Sequence, residues 1–413
     1  MNRLHLILFS LSILFITSCD SQQESSDLQW RGPDRDGIYH EENLLDAWPE
    51  EGPEKLWSYD QLGRGHSSAA FSEDKLFMLG TNMKDSITSL FAFSLEGELL
   101  WKKQLGPAWM KTWPAERSTP LIHQGKGYVF DGLGVIHCFN TTDGSIVWKR
   151  ALIGELTDRN SMHGVHENLV IEVEKLFCTL GGEEHNILAL NKNTGETIWS
   201  SKGTGRDNAY CSPTVIEHEG KSYYITMTYN ELVSIDVENG EVAWTQKLSD
   251  EKHGIHASVP LYKDGYLFII EGYRFGSKMY KIAEDGLSSE LMWKHDSIGP
   301  QMGDAVRIGE DIFVSSSPNK NWYSIDWTTG KLNFSSEKLG TGTVIAADGK
   351  LFIQTYRGKL AMVKVENNDF TILGELQVPG KRGDHYSQPV IKDGRLYVRY
   401  MNEMVVYDIR KKS

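Results

Sequence analysis

The stretch ILALNKNTGETIW at 187–199 decides the fold. An apolar run closes on Asn191, a turn carries Gly195, and a second run ends on Trp199. Two short runs joined by a Gly-containing turn read as an antiparallel strand pair. The second half of this unit recurs as GELLW at 97–101, GSIVW at 144–148 and GEVAW at 240–244. SELMW at 289–293 and GKLNF at 330–334 continue it, with Phe334 in place of Trp, and a degenerate copy lies at 370–376 (FTILGEL). Successive aromatics stand 47, 51, 45, 49 and 41 residues apart, the period of a four-stranded propeller blade.

Working outward, each unit holds the same four pieces. The first strand often carries Pro (STPLIHQ, CSPTVIEH, SVPLYKD, SQPVIKD), and the second is a continuous apolar run (KLFMLG, KLFCTL, DIFVSS, KLFIQT). The third strand ends on Asp or Asn, and the fourth ends on the aromatic. Continuous apolar strands need cover on both faces, which blades stacked around an axis supply. Seven complete units begin near residues 67, 118, 168, 211, 257, 304 and 342, and 386–410 holds three strands without a fourth. EKLWSY at 54–59 is a lone fourth strand with Trp57. The expectation is an all-β, eight-bladed β-propeller of four-stranded antiparallel blades, the last blade closed by this N-terminal strand, with Trp57 buried in the same blade as Val405 and Tyr407. A seven-bladed ring with a stray strand is the alternative. Closure would seal edges that otherwise invite aggregation.

The N-terminus reads as an address. Arg3 precedes the apolar run Leu6–Ile16, which is too short to span a bilayer and fits a signal-peptide core. Ile16-Thr17-Ser18-Cys19 resembles a lipobox, which would make 1–18 a lipoprotein signal peptide and Cys19 the lipidated residue. An ordinary signal peptide with a chance Cys is the other reading. Residues 19–53 then comprise the lipidated Cys, the polar tether DSQQESSD (20–27) and an N-terminal extension, ahead of a propeller at 54–410. This predicts a cell-envelope protein, anchored to a membrane by its lipid and facing the periplasm or the exterior.

A net charge of −13 without a basic stripe argues against nucleic acid as a partner. Cys138, Cys178 and Cys211 leave an odd number after Cys19, with no CxxC, so a Cys-based metal site is not expected and no metal is assigned. The spacing His163-x-x-His166-Glu167 lacks the helical geometry of a zinc motif.

The pattern from Leu190 to Trp199, repeated from Ser234 to Trp244 and from Ser324 to Phe334, resembles the repeat of the pyrroloquinoline-quinone (PQQ) propellers. In that family the aromatic docks on the next blade. The likeness covers about 54–410, and QWRGPDRDG at 29–37 is similar to the opening of secreted quinoprotein-like repeat proteins. The resemblance implies one of two branches. One holds quinone-dependent periplasmic dehydrogenases that oxidise alcohols or sugars with PQQ and Ca²⁺. The other holds propeller lipoproteins without quinone, including the scaffold of the outer-membrane assembly machine. No adjacent Cys pair, such as alcohol-oxidising members often carry, occurs here. The reading is therefore an envelope scaffold or binding module with no cofactor expected, whose partner is an envelope protein or a small polar or anionic ligand. PQQ with Ca²⁺ belongs to the alternative.

The residues leading into each innermost strand should converge at one mouth of the channel. These lead-ins are polar and hold six of the 13 His residues. The candidate funnel comprises His66, Arg117, His163, His166, Glu167, Arg206, Asp207, Asn208, His256, Asp304, Arg382 and His385. Arg117, Arg206 and Arg382 suit an anion. The histidines suit hydrogen bonding, proton transfer or metal ligation. Glu167, Asp207 and Asp304 with Asn208 suit a hard cation. A solvated channel would also favour polar loops at these places without any ligand. Of these, Arg117, His166, Arg206, His256 and Asp304 are expected to share one cavity.

Overall fold

A computed structural model describes residues 30–249, 254–378 and 385–412. Cys19, the signal segment and Arg382 lie outside the described residues. Eight sheets follow one another around a ring. The first blade runs Ala70–Phe71, Lys75–Asn82, Ile87–Ser94 and Leu99–Pro107. Second strands are buried nearly throughout, whereas fourth strands are largely exposed, as cover from both neighbouring blades at mid-radius requires. No described helix is long and apolar enough to cross a membrane.

The last blade pairs Val390–Lys392, Arg395–Tyr400 and Glu403–Asp408 with Glu54–Tyr59 as its outermost strand. Trp57 stands opposite Val406, Lys55 opposite Tyr407 and Ser58 opposite Val405. The ring is thus closed by the strand expected, with Trp57 half-buried between Phe93 and Tyr397.

The repeated Gly and Trp form one device shared by neighbouring blades. The indole N–H of Trp57, Trp101, Trp148, Trp199 and Trp293 donates to the backbone carbonyl of Leu95, Thr142, Lys192, Val237 and Trp327, in the last turn of the next blade. In that turn Gly97, Gly144, Gly195, Gly240 and Gly330 have positive φ and lie so close to the ring that a Cβ would meet it at 2.5–2.7 Å. Only glycine satisfies both demands. Trp244 departs from the pattern: its indole nitrogen is buried without a hydrogen-bond partner, and the equivalent Gly286 receives Tyr223 instead.

The seventh blade has no aromatic of its own in this place. Gly374 pairs with Met362 where Trp101 pairs with Ala92 and Phe334 with Ser324. Trp48, from the N-terminal extension, fills the vacancy. Its Cβ lies where a side chain on Gly374 would be, its backbone N–H donates to Leu373 O at 2.9 Å, and its ring stands 6.3 Å from Phe352. Trp101 and Phe77 stand 5.9 Å apart in the first blade. Trp48→Ala is therefore expected to cost about 3–5 kcal/mol, the usual loss for a buried aromatic. Trp113→Ala, at a ring 65% exposed, should cost little. Equal melting temperatures for the two variants would refute the substitution-in-place reading.

Before Trp48 the extension is threaded along the axis. Ile38–Tyr39 adds a fifth strand to the seventh blade, parallel to its innermost strand Gly342–Ala347. Arg31 is fully buried between the sixth and seventh blades, and Arg35 reaches across to the third, donating to Asn168 O and Leu169 O at 2.9 and 2.8 Å. Residues 30–37 thus plug the channel.

Candidate functional site

Above the plug, the lead-ins of seven blades enclose a cup of about 280 Å³. Each lead-in is extended, so alternate residues face the axis. The residue four before the innermost strand lines the cup in all seven: His66, Arg117, His166, Tyr210, Ala257, Met302 and Tyr386. The residue two before it does so in five: Ser68, Asn168, Ser212, Asp304 and Gln388. Trp30 forms part of the wall, and Arg64, Trp113 and His163 complete the polar and aromatic rim.

The structure thus brings together His66, Arg117, His163, His166 and Asp304. The remaining described candidates lie elsewhere, largely because of this parity. Glu167 is one residue out of phase and turns between blades, where it accepts hydrogen bonds from Thr179 N–H at 3.1 Å and Tyr224 Oη at 3.2 Å. His256 is buried against the carbonyls of Glu271 and Tyr229, and His385 stacks on Tyr400 at 4.2 Å. Asn208 accepts from Ser161 Oγ at 2.6 Å, and Asp207 lies in a bridge with Gly181. Arg206 is exposed, its guanidinium 5.5 Å from the Tyr229 ring centre. The five-residue cavity expected from the sequence is thereby corrected: Arg206 and His256 are not part of it. The hard-cation set is not assembled either, since among the described residues no three His, Cys, Asp or Glu side chains are placed to hold a metal.

Electrostatics in the cup are cationic. Arg117 donates to the His163 carbonyl at 3.2 Å and contacts the Trp113 carbonyl and His166 Nε2. His166 Nε2 also faces the His163 carbonyl, and its Nδ1 is buried. Burial, and then the charge of Arg117, hold His66 and His166 well below the ordinary imidazole value, and His163 is lowered by the same two causes. The histidines are therefore neutral near pH 7. Burial also lowers Arg117 to about 10. Among the described residues Asp304 is the only carboxylate in the wall, and it is committed: Arg31 lies 3.3 Å away, Val259 N–H donates at 2.6 Å and Gln388 Nε2 at 2.7 Å. Neither Arg64 nor Arg117 has a carboxylate in ion-pair contact among the described residues.

Behind the wall sit two buried acids. Burial pushes Glu167 up to about 8 and Glu116 up to about 7. A carboxyl with a raised folded-state pKa stabilises fully below its unfolded value of about 4.5 and loses that contribution as pH rises through the folded one. Wild type should therefore lose stability between pH 4.5 and 8, on the order of several kcal/mol from Glu167. Glu167→Gln keeps the neutral form, so its melting temperature should match wild type at pH 5 and exceed it at pH 9. Parallel pH profiles would show that Glu167 does not titrate in this range. The buried histidines act oppositely, costing stability below pH 6.5, and cancel in the difference between the two proteins.

Arg64, Trp30, Tyr210, Gln388 and the plug residues Arg31 and Arg35 were not among the sequence candidates. The phase of the lead-ins could have found Tyr210 and Gln388. No periodicity marks the plug.

Among known proteins, the family model described as outer membrane protein assembly factor BamB matches residues 86–336. Outer membrane protein assembly factor BamB of Shewanella oneidensis is 21% identical over 401 residues, covering 84% of this chain and 97% of that protein. Quinoprotein alcohol dehydrogenase PedH of Pseudomonas putida is 23% identical over 215 residues, half of this chain but only 35% of that enzyme. Among solved structures, BamB from Moraxella catarrhalis superposes with a TM-score of 0.63 at 11% identity, covering 87% of this chain and 98% of that one. A quinohemoprotein alcohol dehydrogenase from Pseudomonas putida gives 0.67 at 12% identity, covering 94% and 81%. At such identities the structural likeness concerns the fold.

Proposed function

The chain belongs to the family of the outer membrane protein assembly factor BamB, and from that membership we propose that it is a binding and scaffold module of the cell envelope, lipid-anchored at Cys19, whose cup takes a small anionic ligand. The 97% coverage of BamB from Shewanella oneidensis, against 35% of PedH, favours the scaffold branch. The observation that carries the ligand class is the charge of the cup. Among the described residues two arginines line it without a carboxylate in ion-pair contact, and the one acid there is paired with Arg31. A carboxylate or phosphate entering there gains charge-assisted hydrogen bonds from donors already positioned.

Titration with inorganic phosphate and with citrate, followed by tryptophan emission, tests this. Saturable binding is expected, weakened about tenfold or more in Arg64→Ala/Arg117→Ala by the loss of hydrogen bonds to charge. The fold should remain intact. Absence of saturation with either probe, or equal affinity in the variant, would overturn the reading.

The alternative, a quinone-dependent dehydrogenase, is suggested by the resemblance to PedH. The residues present do not fit a quinone held with Ca²⁺. Asp304 has its oxygens engaged, and Cys138, Cys178 and Cys211 are separately buried free thiols with no adjacent pair to face a quinone. Reconstitution with PQQ and Ca²⁺ should give neither a spectral change nor dye-linked oxidation of alcohols or sugars.

A further inference from the structure

The path of the extension has a direction, and it bears on how the propeller sits on a membrane. Trp30 stands in the cup, Arg31 and Arg35 plug the axis, and Ile38–Tyr39 runs parallel to an innermost strand. Innermost strands lead away from the cup, so the chain passes from the cup to the opposite face. There Leu44 N–H donates to Asp348 in the turn after Gly342–Ala347. Everything N-terminal to Trp30 is therefore joined to the protein at the cup side.

Eleven peptide steps separate Cys19 from Trp30, a contour of at most about 36–40 Å. To reach the opposite face, that contour would have to cross three strand spacings, about 14 Å, and descend a six-residue strand, about 20 Å. The radius of the channel and the climb out of the cup come on top, and nothing remains to reach a bilayer. Resting on the lipid anchor at Cys19 proposed above, we infer that the cup-bearing face is turned toward the lipid surface and held within one tether length of it. The rim suits that surface. Trp113 and Met162 stand out at 65% and 67% exposure, with Lys111 exposed beside them. Aromatic and apolar side chains next to a cation are the composition favoured at a bilayer interface. Ligands of the cup would then arrive through the gap between propeller and membrane, and a large soluble partner would dock elsewhere on the ring.

The test uses the full lipidated chain in phosphatidylethanolamine–phosphatidylglycerol vesicles carrying a headgroup-linked quencher. The native Cys138, Cys178 and Cys211 are buried, so a fluorophore can be placed on Met162→Cys at the cup rim or on Val173→Cys, 75% exposed in a turn of the opposite face. A second pair, Lys111→Cys and Glu219→Cys, guards against a local effect of either label. Quenching is expected to be severalfold stronger at 162 and 111 than at 173 and 219. Equal quenching at both faces, or stronger quenching at 173 and 219, overturns the orientation. Flotation of the vesicles is scored first. A chain that does not float refutes the anchor, and the orientation falls with it, whereas a floating chain with the wrong quenching pattern refutes the orientation alone.

Discussion

Deletion of Glu54–Tyr59 is expected to destabilise the chain and make it self-associate. The strand contributes the whole outer edge of the last blade and places Trp57 on Gly97 of the first. Its removal bares the Glu403–Asp408 edge, an apolar template for pairing with another copy. It also leaves the first and last blades without their tryptophan dock, for which truncation alone costs about 3–5 kcal/mol. The melting temperature should fall sharply and light scattering should report oligomers. A synthetic peptide spanning residues 53–60 should restore both in trans, because it carries both the strand that pairs with Glu403–Asp408 and the Trp57 ring. A deletion variant that stays monomeric with an unchanged melting temperature would mean that ring closure contributes nothing.

Arg31→Ala is the second change expected to act strongly. The guanidinium is fully buried and donates to Ala305 O at 2.6 Å and Asp36 O at 3.0 Å besides facing Asp304. Breaking a buried pair by removing one partner typically costs about 3–5 kcal/mol, because the other charge remains in low dielectric. Asp304→Asn in the same chain removes that stranded charge while keeping an acceptor for Val259 N–H. The double variant should therefore recover a large part of the loss, a coupling that a double-mutant cycle measures directly. Strict additivity of the two changes would show that the pair is not coupled.

What could be read in advance follows from what repeats. The Gly and Trp of GETIW recur because each blade meets the next through the same contact, so a single local rule was written five times over in Trp57, Trp101, Trp148, Trp199 and Trp293. The cup was legible in position, since His66, Arg117, His166 and Asp304 lie in equivalent lead-ins. It was not fully legible in membership, because an extended lead-in sends neighbours to opposite sides. Glu167 and His166 are adjacent, yet one faces a blade interface and the other the axis. The plug was not legible at all. QWRGPDRDG has the Gly, Pro and Asp of a surface turn, and two arginines in such a segment look solvated. Tertiary partners, the carbonyls of Ala305, Val344, Asn168 and Leu169 together with Asp304, make Arg31 and Arg35 interior residues. Trp48 escaped for a related reason: the aromatic missing from FTILGEL is supplied by a residue more than 300 positions earlier.

That last arrangement sets an order of events. The chain is made from its N-terminus, so Arg31, Trp48 and Trp57 exist long before the last groups they bind. Val344, Leu373 and Val406 follow about 300–350 residues later, roughly 15–70 s of synthesis at about 5–20 residues per second. Through that interval the segment lacks its last partners, although Trp57 can already dock on Leu95 and Arg35 on the carbonyls of Asn168 and Leu169, while the blades, built from near neighbours in sequence, can form one by one. Locking is consequently the final step. A chain truncated anywhere before Leu373 would leave Trp48 without its seat on the seventh blade and the strand of Trp57 without its partner.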